Sequence, residues 1–222
     1  MLFLPNALTI FRIALVPVFA LFFVLPGDVW RIAAFVTFCL AGISDALDGA
    51  LARRFEASSD FGRMLDPIAD KILVAVALMM LISEGNFEQL SLDPSHGLRS
   101  LLKLVPALVI LSREILVSGL REFLAGAAVS VPVTRIAKAK TTIQMVAIGA
   151  MILDPLAWRW MSGTVATSYS WIAYSGLWIA AALTVGTGYA YFRAGLAHLH
   201  PRQKHNPTAR AVPPRGHAGE PA

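Results

Sequence analysis

Charge is scarce in this sequence. Only 15% of its 222 residues are Asp, Glu, Lys or Arg, against roughly 25% in an ordinary soluble domain. With 56% hydrophobic residues, too little polar side chain is available to cover a water-facing surface, so the composition indicates an integral membrane protein. A single cysteine, Cys39, excludes an internal disulfide and is expected to pack within the second apolar stretch. No segment alternates polar and apolar residues with period two, which excludes barrel strands, and an open sheet is excluded in lipid. No composition shift before residue 200 and no internal repeat divides the chain. The first apolar stretch is expected to be a retained helix rather than a cleavable secretory signal: Arg12 lies inside the apolar pattern, no small-residue cleavage site follows, and Pro26-Gly27 marks a plain turn.

What the chain does have is apolar stretches of the ~20 residues that cross a hydrocarbon core. Six are visible, at about 7–25, 31–51, 67–83, 100–124, 136–157 and 170–195. The expected fold is an all-α membrane protein, a six-transmembrane-helix bundle occupying residues 1–200. Residues 201–222, with five prolines among scattered Arg, His and Gly, cannot bury a core and are expected to form a disordered basic cytoplasmic tail. Lys and Arg set the orientation. Arg53, Arg54, Arg63, Arg135, Lys138, Lys140 and the tail's Arg202, Lys204, Arg210 and Arg215 fall on one side. The opposite loops carry Arg31, Arg99 and Arg159, together with Glu84, Glu88 and Asp93. Both termini are therefore expected in the cytoplasm. The net charge of +5 follows from this bias and requires no nucleic acid; a basic rim also suits anionic headgroups and phosphorylated substrates.

At membrane depth, acid is rarer still, which isolates two pairs: Asp45/Asp48 and Asp66/Asp70. A carboxylate there costs at least ~2.5–3.5 kcal/mol, so four together need compensation. Asp45 and Asp48 are three apart, and on a helix they share a face with Gly49 and Ala52, whose small size leaves a notch. Gly62, Asp66 and Asp70 follow at steps of four and stack if their helix is continuous. Pro67 leaves two arrangements open: Asp66 as N-cap with Pro67 at the first helical position, or a longer helix kinked at Pro67. Four converging carboxylates cannot all ionise without a counter-ion, and hard oxygen ligands with room for phosphate suit Mg²⁺ or Mn²⁺. A pair of ions would grip a diphosphate and favour in-line displacement at phosphorus. The plainer alternative makes these residues helix caps, or partners of Arg53, Arg54, Arg63 and Lys71 in a solvated rim.

The run Asp45-x2-Asp48-Gly49-x2-Ala52-Arg53-x8-Gly62-x3-Asp66-x3-Asp70 resembles the complete signature of the CDP-alcohol phosphatidyltransferases. Further likeness lies in Pro5-Asn6 with Thr9 and Arg12, in Ser112-Arg113-Glu114 with Leu120-Arg121-Glu122, and in Lys138-x-Lys140-Thr141-Thr142 with Gln144. These are similar to the subgroup that makes phosphatidylglycerophosphate. The resemblance covers residues 4–195. It implies that Asp45, Asp48 and Asp66 are the main ligands of two Mg²⁺ ions, with Asp70 also at the metal and acting as general base. It implies that Gly49 and Arg53 contact the cytidine diphosphate part of CDP-diacylglycerol, counted together with Ala52 and Gly62. Ser59 adds a hydroxyl, and Asn6 and Thr9 border the nucleotide. A homodimer is also implied.

A second charged set is embedded in the fourth apolar stretch: Arg113, Glu114, Arg121 and Glu122, followed by Arg135, Lys138 and Thr142. Charges at such depth face the bundle interior or water. A cationic pocket of Arg113, Arg121 and Lys138 beside a metal site suits an acceptor that carries its own phosphate, because arginine binds phosphate with two parallel hydrogen bonds. The alternative is that Arg113/Glu114 and Arg121/Glu122 are internal ion pairs pinning helices. Arg135 and Lys140 are divided between substrate contact and topology. Trp158, Trp160 and Trp171 fit an interfacial belt, and Gly186-x-Gly188 fits close helix contact.

The expected reaction moves the phosphatidyl group of CDP-diacylglycerol to the sn-1 hydroxyl of glycerol 3-phosphate, at the cytoplasmic face of a bacterial inner membrane. Inositol phosphate or phosphatidylglycerol are alternative acceptors for the same chemistry. A cation-coupled carrier is the alternative from another class, but it predicts acids scattered over several helices with paired broken helices, and here they cluster in one window.

Overall fold

The computed structural model describes residues 3–55, 60–84, 94–126 and 135–199, with side chains described at 8–44, 65, 68–69, 71–84, 101–126, 139–189 and 191–193. Six helices account for nearly all of these residues: α1 (Phe3–Val24), α2 (Asp28–Phe55), α3 (Asp60–Ser83), α4 (Pro94–Gly126), α5 (Arg135–Trp160) and α6 (Gly163–Leu199). No strand occurs among the described residues. Each helix matches one expected apolar stretch, and most run past it, because hydropathy falls where polar and charged residues begin while backbone hydrogen bonding continues through them. At ~1.5 Å per residue, α4 with 33 residues and α6 with 37 exceed a ~30 Å hydrocarbon core.

Local chemistry sets the ends. Between α1 and α2 the chain turns at Gly27, whose φ of 116° only glycine adopts without strain. Asp28 then opens α2 with a carboxylate in its first turn, where the helix dipole favours it. Pro94 opens α4 at a position where the missing N–H costs nothing, and Arg159 closes α5 with a cation in its last turn. Hydroxyls such as Thr37 (to Ala33 O, 2.7 Å) and Thr167 (to Gly163 O, 2.7 Å) bond back to their own helices. Neither hydroxyl leaves a donor over.

The core is a cluster drawn from every helix, with Phe19, Phe38, Leu78, Ile110, Ile148, Met151 and Leu177 wholly enclosed. Rings stack at its centre, Phe19 lying 5.7 Å from Phe23 and 6.0 Å from Phe38 by centroid. Small residues set the crossings: Ala34, Ala41, Ala77 and Ala180 have no exposed surface. A Cβ on Gly176 would lie 3.3 Å from that of Ala147, where α6 presses on α5. The outer surface is also apolar. Val24, Val29, Leu116, Val146, Ile172 and Tyr189 are all more than two-thirds exposed. One described stretch, Ala139–Trp160, is long and apolar enough to cross a membrane, while Leu8–Val24 and Lys71–Ser83 are shorter apolar stretches.

Arg31 corrects the sequence reading. Counted there as a loop charge, it lies in the first turn of α2 and is 8% exposed, because α2 starts at Asp28. Its Nε donates to the Ile152 carbonyl of α5 (2.7 Å), a terminal nitrogen pairs with Glu84 after α3, and its guanidinium stands 4.0 Å over the Phe23 ring of α1. One cation thus ties four elements at this end. Beside it Asp28 pairs with Arg159 and accepts from Trp160 Nε1 (2.8 Å). Trp158, Trp160 and Trp171 are exposed, as a belt requires.

Candidate active site

The two Asp pairs occupy unbroken helices. α2 runs through Asp45, Asp48, Gly49, Ala52 and Arg53, and α3 through Gly62, Asp66 and Asp70. Since α3 begins at Asp60, six residues before Asp66, Asp66 is not an N-cap, and the continuous helix is the arrangement adopted. The registers are informative. Buried positions on α2 recur at Ala34, Phe38 and Ala41, and the same three-and-four spacing continues to positions 45, 48 and 52. On α3 the buried positions Ala69, Leu73, Ala77 and Leu81 continue backward to 66 and 62, with 70 one step around. The side chains of Asp45, Asp48, Asp66 and Asp70, with those of Asn6, Gly49, Ala52, Arg53, Gly62 and Lys138, lie outside the described residues, as does Ser59 altogether. No group of three His, Cys, Asp or Glu among the described residues could hold a metal ion.

From α1, which packs on both α2 and α3, Thr9 and Arg12 are each 1% exposed. A charged guanidinium this deep requires polar partners; Arg12 stands at the wall of a groove that α2, α3 and α5 also line.

Next to the acidic pair on α3, ionic groups from three helices meet at Glu114. This α4 carboxylate accepts from Lys71 Nζ of α3 (2.7 Å), pairs with Lys140 of α5, and has Arg113 Nη1 at 3.4 Å. Arg113 then donates from Nη2 to Thr187 Oγ1 of α6 (2.8 Å). Glu114 and Lys140 are 9% and 5% exposed by side chain. Lys140, divided in the sequence between substrate contact and topology, is instead one half of a buried ion pair. The internal-pair alternative describes Arg113/Glu114, but Glu114 has two closer partners on other helices, which spacing along α4 could not reveal. Gly188 backs this cluster: a Cβ there would stand 3.0 Å from Arg113 Cγ, whereas one on Gly186 would meet nothing within 4 Å. Only the second glycine of the Gly-x-Gly pair marks a close approach. Arg121 and Glu122 are exposed and, among the described residues, make no ion pair.

Two polar groups escaped the sequence reading. Asp154 is buried in α5 and accepts from Ser170 Oγ of α6 (2.5 Å), and Thr187 receives Arg113. Neither stands at a spacing that marks it; a lone acid in an apolar stretch was the available signal for Asp154.

Between the Glu114 cluster and Arg31 an apolar groove of about 570 Å³ opens alongside α2, α3 and α5, with Arg12 on its wall. Phe35, Cys39, Ile43, Leu73, Met145 and Leu153 line it, and Thr141 and Thr142 lie at its α5 end nearest Lys140.

A family model described as CDP-alcohol phosphatidyltransferase matches residues 2–187, taking in five helices and most of α6. The chain belongs to the CDP-alcohol phosphatidyltransferase family. Similar family members include a protein of Rickettsia bellii (strain RML369-C), 42% identical over 194 residues, covering 86% of this chain and 94% of that one. Proteins of Pseudomonas fluorescens and Escherichia coli (strain K12) are each 39% identical, covering 88% of this chain and 91% and 96% of theirs. All three bear the name CDP-diacylglycerol--glycerol-3-phosphate 3-phosphatidyltransferase.

Proposed function

We infer that the protein transfers the phosphatidyl group of CDP-diacylglycerol to the sn-1 hydroxyl of glycerol 3-phosphate, releasing CMP and phosphatidylglycerophosphate. One observation carries this reading: near-full-length likeness to transferases of that name, in a chain whose family signature is filled at every fixed position.

Hard oxygen donors at three- and four-residue steps on two successive helices fit a divalent cation. Asp45, Asp48, Asp66 and Asp70 would hold two Mg²⁺ ions, or Mn²⁺ in their place. Bound there, such ions would neutralise diphosphate charge and stabilise departing CMP. Asp70 takes the proton from the acceptor hydroxyl. That oxygen bonds to the phosphorus bearing diacylglycerol as the bond to CMP breaks, with no covalent enzyme intermediate. Arg53 pairs with phosphate, Gly49, Ala52 and Gly62 allow close backbone approach, Ser59 adds a hydroxyl, and Asn6 and Thr9 border the nucleotide. Arg113, Arg121 and Lys138 receive the acceptor's phosphate. The apolar groove alongside α2 is the right size and character for an acyl chain.

The apolar outer surface supports six membrane-spanning helices, since water-soluble monomers rarely expose so much contiguous hydrocarbon. The Lys/Arg bias supports cytoplasmic termini and an active site facing the cytoplasm, in the inner membrane of a bacterial cell. Family resemblance supports a homodimer. The deciding experiment measures CMP release from CDP-diacylglycerol in detergent with glycerol 3-phosphate, inositol phosphate, phosphatidylglycerol or serine supplied in turn. Release with glycerol 3-phosphate alone is expected. Release that instead requires another acceptor overturns the assignment.

A further inference from the structure

Glu114 is one anion facing three cations, Lys71, Lys140 and Arg113, on three helices. Stability alone is a poor reason for such a cluster. Burying these groups costs several kcal/mol each by order of magnitude, and well-packed hydrophobic residues commonly hold helices as firmly. Its location is more telling. Lys71 directly follows Asp70 on α3, and successive positions on a helix differ by about 100° in angle and ~1.5 Å in height. A tether on Lys71 therefore fixes the rotation of α3 at Asp70 without occupying the face that Asp70 uses. The anchor is rigid from the other side as well: Lys140 holds the same carboxylate from α5, and Arg113 connects it to Thr187 on α6.

We propose that Glu114 is a positioning residue for the transfer reaction, setting through Lys71 the angle at which α3 presents Asp70. The proposal rests on the reading of Asp70 as general base. Proton abstraction demands an alignment that packing alone holds only loosely, and misplacement by about 1 Å is enough to cost about a hundredfold in rate. The Lys71–Glu114 bond supplies an angular reference that the apolar contacts of Leu73 and Ala77 lack.

The test uses full-length enzyme in detergent, with folding checked by gel filtration and melting. Glu114→Gln and Lys71→Met should each lower kcat by about tenfold or more, with KM for CDP-diacylglycerol and for glycerol 3-phosphate within about threefold of the parent. Because both variants break one tether, the double variant should lose no more than about a further twofold. Lys71→Arg, which keeps the charge and the reach, should recover most of the rate. A purely structural role would lower melting temperature and leave kcat per folded molecule untouched; that result, or losses that multiply in the double variant, refutes the proposal. If Glu114→Gln fails to fold, Lys71→Met and Lys71→Arg decide on the same criterion, since the Lys71 side chain is 32% exposed. Asp70→Asn serves as the separate arm. Ordinary turnover in that variant would strike the reading of Asp70, whereas an inactive Asp70→Asn beside a fully active Glu114→Gln would strike only the positioning role.

Discussion

Replacing Arg31 by Met tests whether one buried cation holds the end of the bundle remote from the signature. The substitution keeps most of the side chain's volume and removes three interactions: the hydrogen bond to Ile152 O, the pair with Glu84 and the stack on Phe23. Losing the side-chain donor to the Ile152 carbonyl, which keeps its helical partner, costs about 0.5–1.5 kcal/mol, and the cation–ring contact adds about 0.5–1 kcal/mol. Stranding the partner of a fully buried pair costs about 3–5 kcal/mol, but the Glu84 side chain is 31% exposed and regains some water. The terms overlap, and the low end applies: a loss of about 3 kcal/mol, or about 6–12 °C for a chain of this size. The Ile152 carbonyl is sensitive because Pro155, within the same turn of α5, has no N–H for the neighbouring Met151 carbonyl, so this turn is already one donor short. The assay heats detergent-solubilised protein and measures the fraction that still elutes as a single species. Arg31→Met/Glu84→Gln should recover part of the loss, because no charge is left stranded. Melting of Arg31→Met within about 2 °C of the parent, or a double variant no better than the single, would refute the reasoning.

Three further outcomes follow from the same geometry. Gly188→Ala should destabilise by about 1 kcal/mol, since its methyl displaces Arg113 by a few tenths of an ångström, whereas Gly186→Ala, with open space around it, should be neutral or stabilising by up to about 1 kcal/mol; equal melting points would remove the close approach. Asp70→Asn should abolish CMP release while Mg²⁺ binding, followed by calorimetry, persists; retained turnover contradicts the base assignment. Arg121→Ala should chiefly raise KM for glycerol 3-phosphate with KM for CDP-diacylglycerol little changed, and an unaltered acceptor KM counts against the cationic pocket.

The helices were legible in the sequence because length and apolarity are local properties. Five stretches lie within helices and the first overruns α1 by one residue; the largest boundary differences, at the starts of α3 and α6, fall where polar residues such as Asp66 and Thr167 continue a helix that hydropathy alone ends. The signature was legible for a related reason: steps of three and four convert directly to a helix face, and the continuous course of α3 resolves the choice that Pro67 left open. Long-range pairing was not legible. Nothing in the sequence links Lys71 to Glu114 across 43 residues, or Arg31 to Ile152 across 121, because such pairs are chosen by which helices become neighbours. Arg31 and Lys140 both looked like topology signals for this reason, and both proved to be buried.

The two ionic clusters lie at different heights. On α5 they meet Lys140 and Ile152, twelve residues or about 18 Å apart along the axis, and the groove spans Thr141 to Leu153 on that same helix. Between the two fastened levels no ionic contact bridges the groove among the described residues. A fatty tail sliding in from the side need not break a polar bond: it exchanges one set of dispersion contacts for another, methylene against methylene, at nearly constant energy. If the groove takes an acyl chain as proposed, a waist built this way would let lipids of different tail length come and go while the fastened ends hold the helices in register.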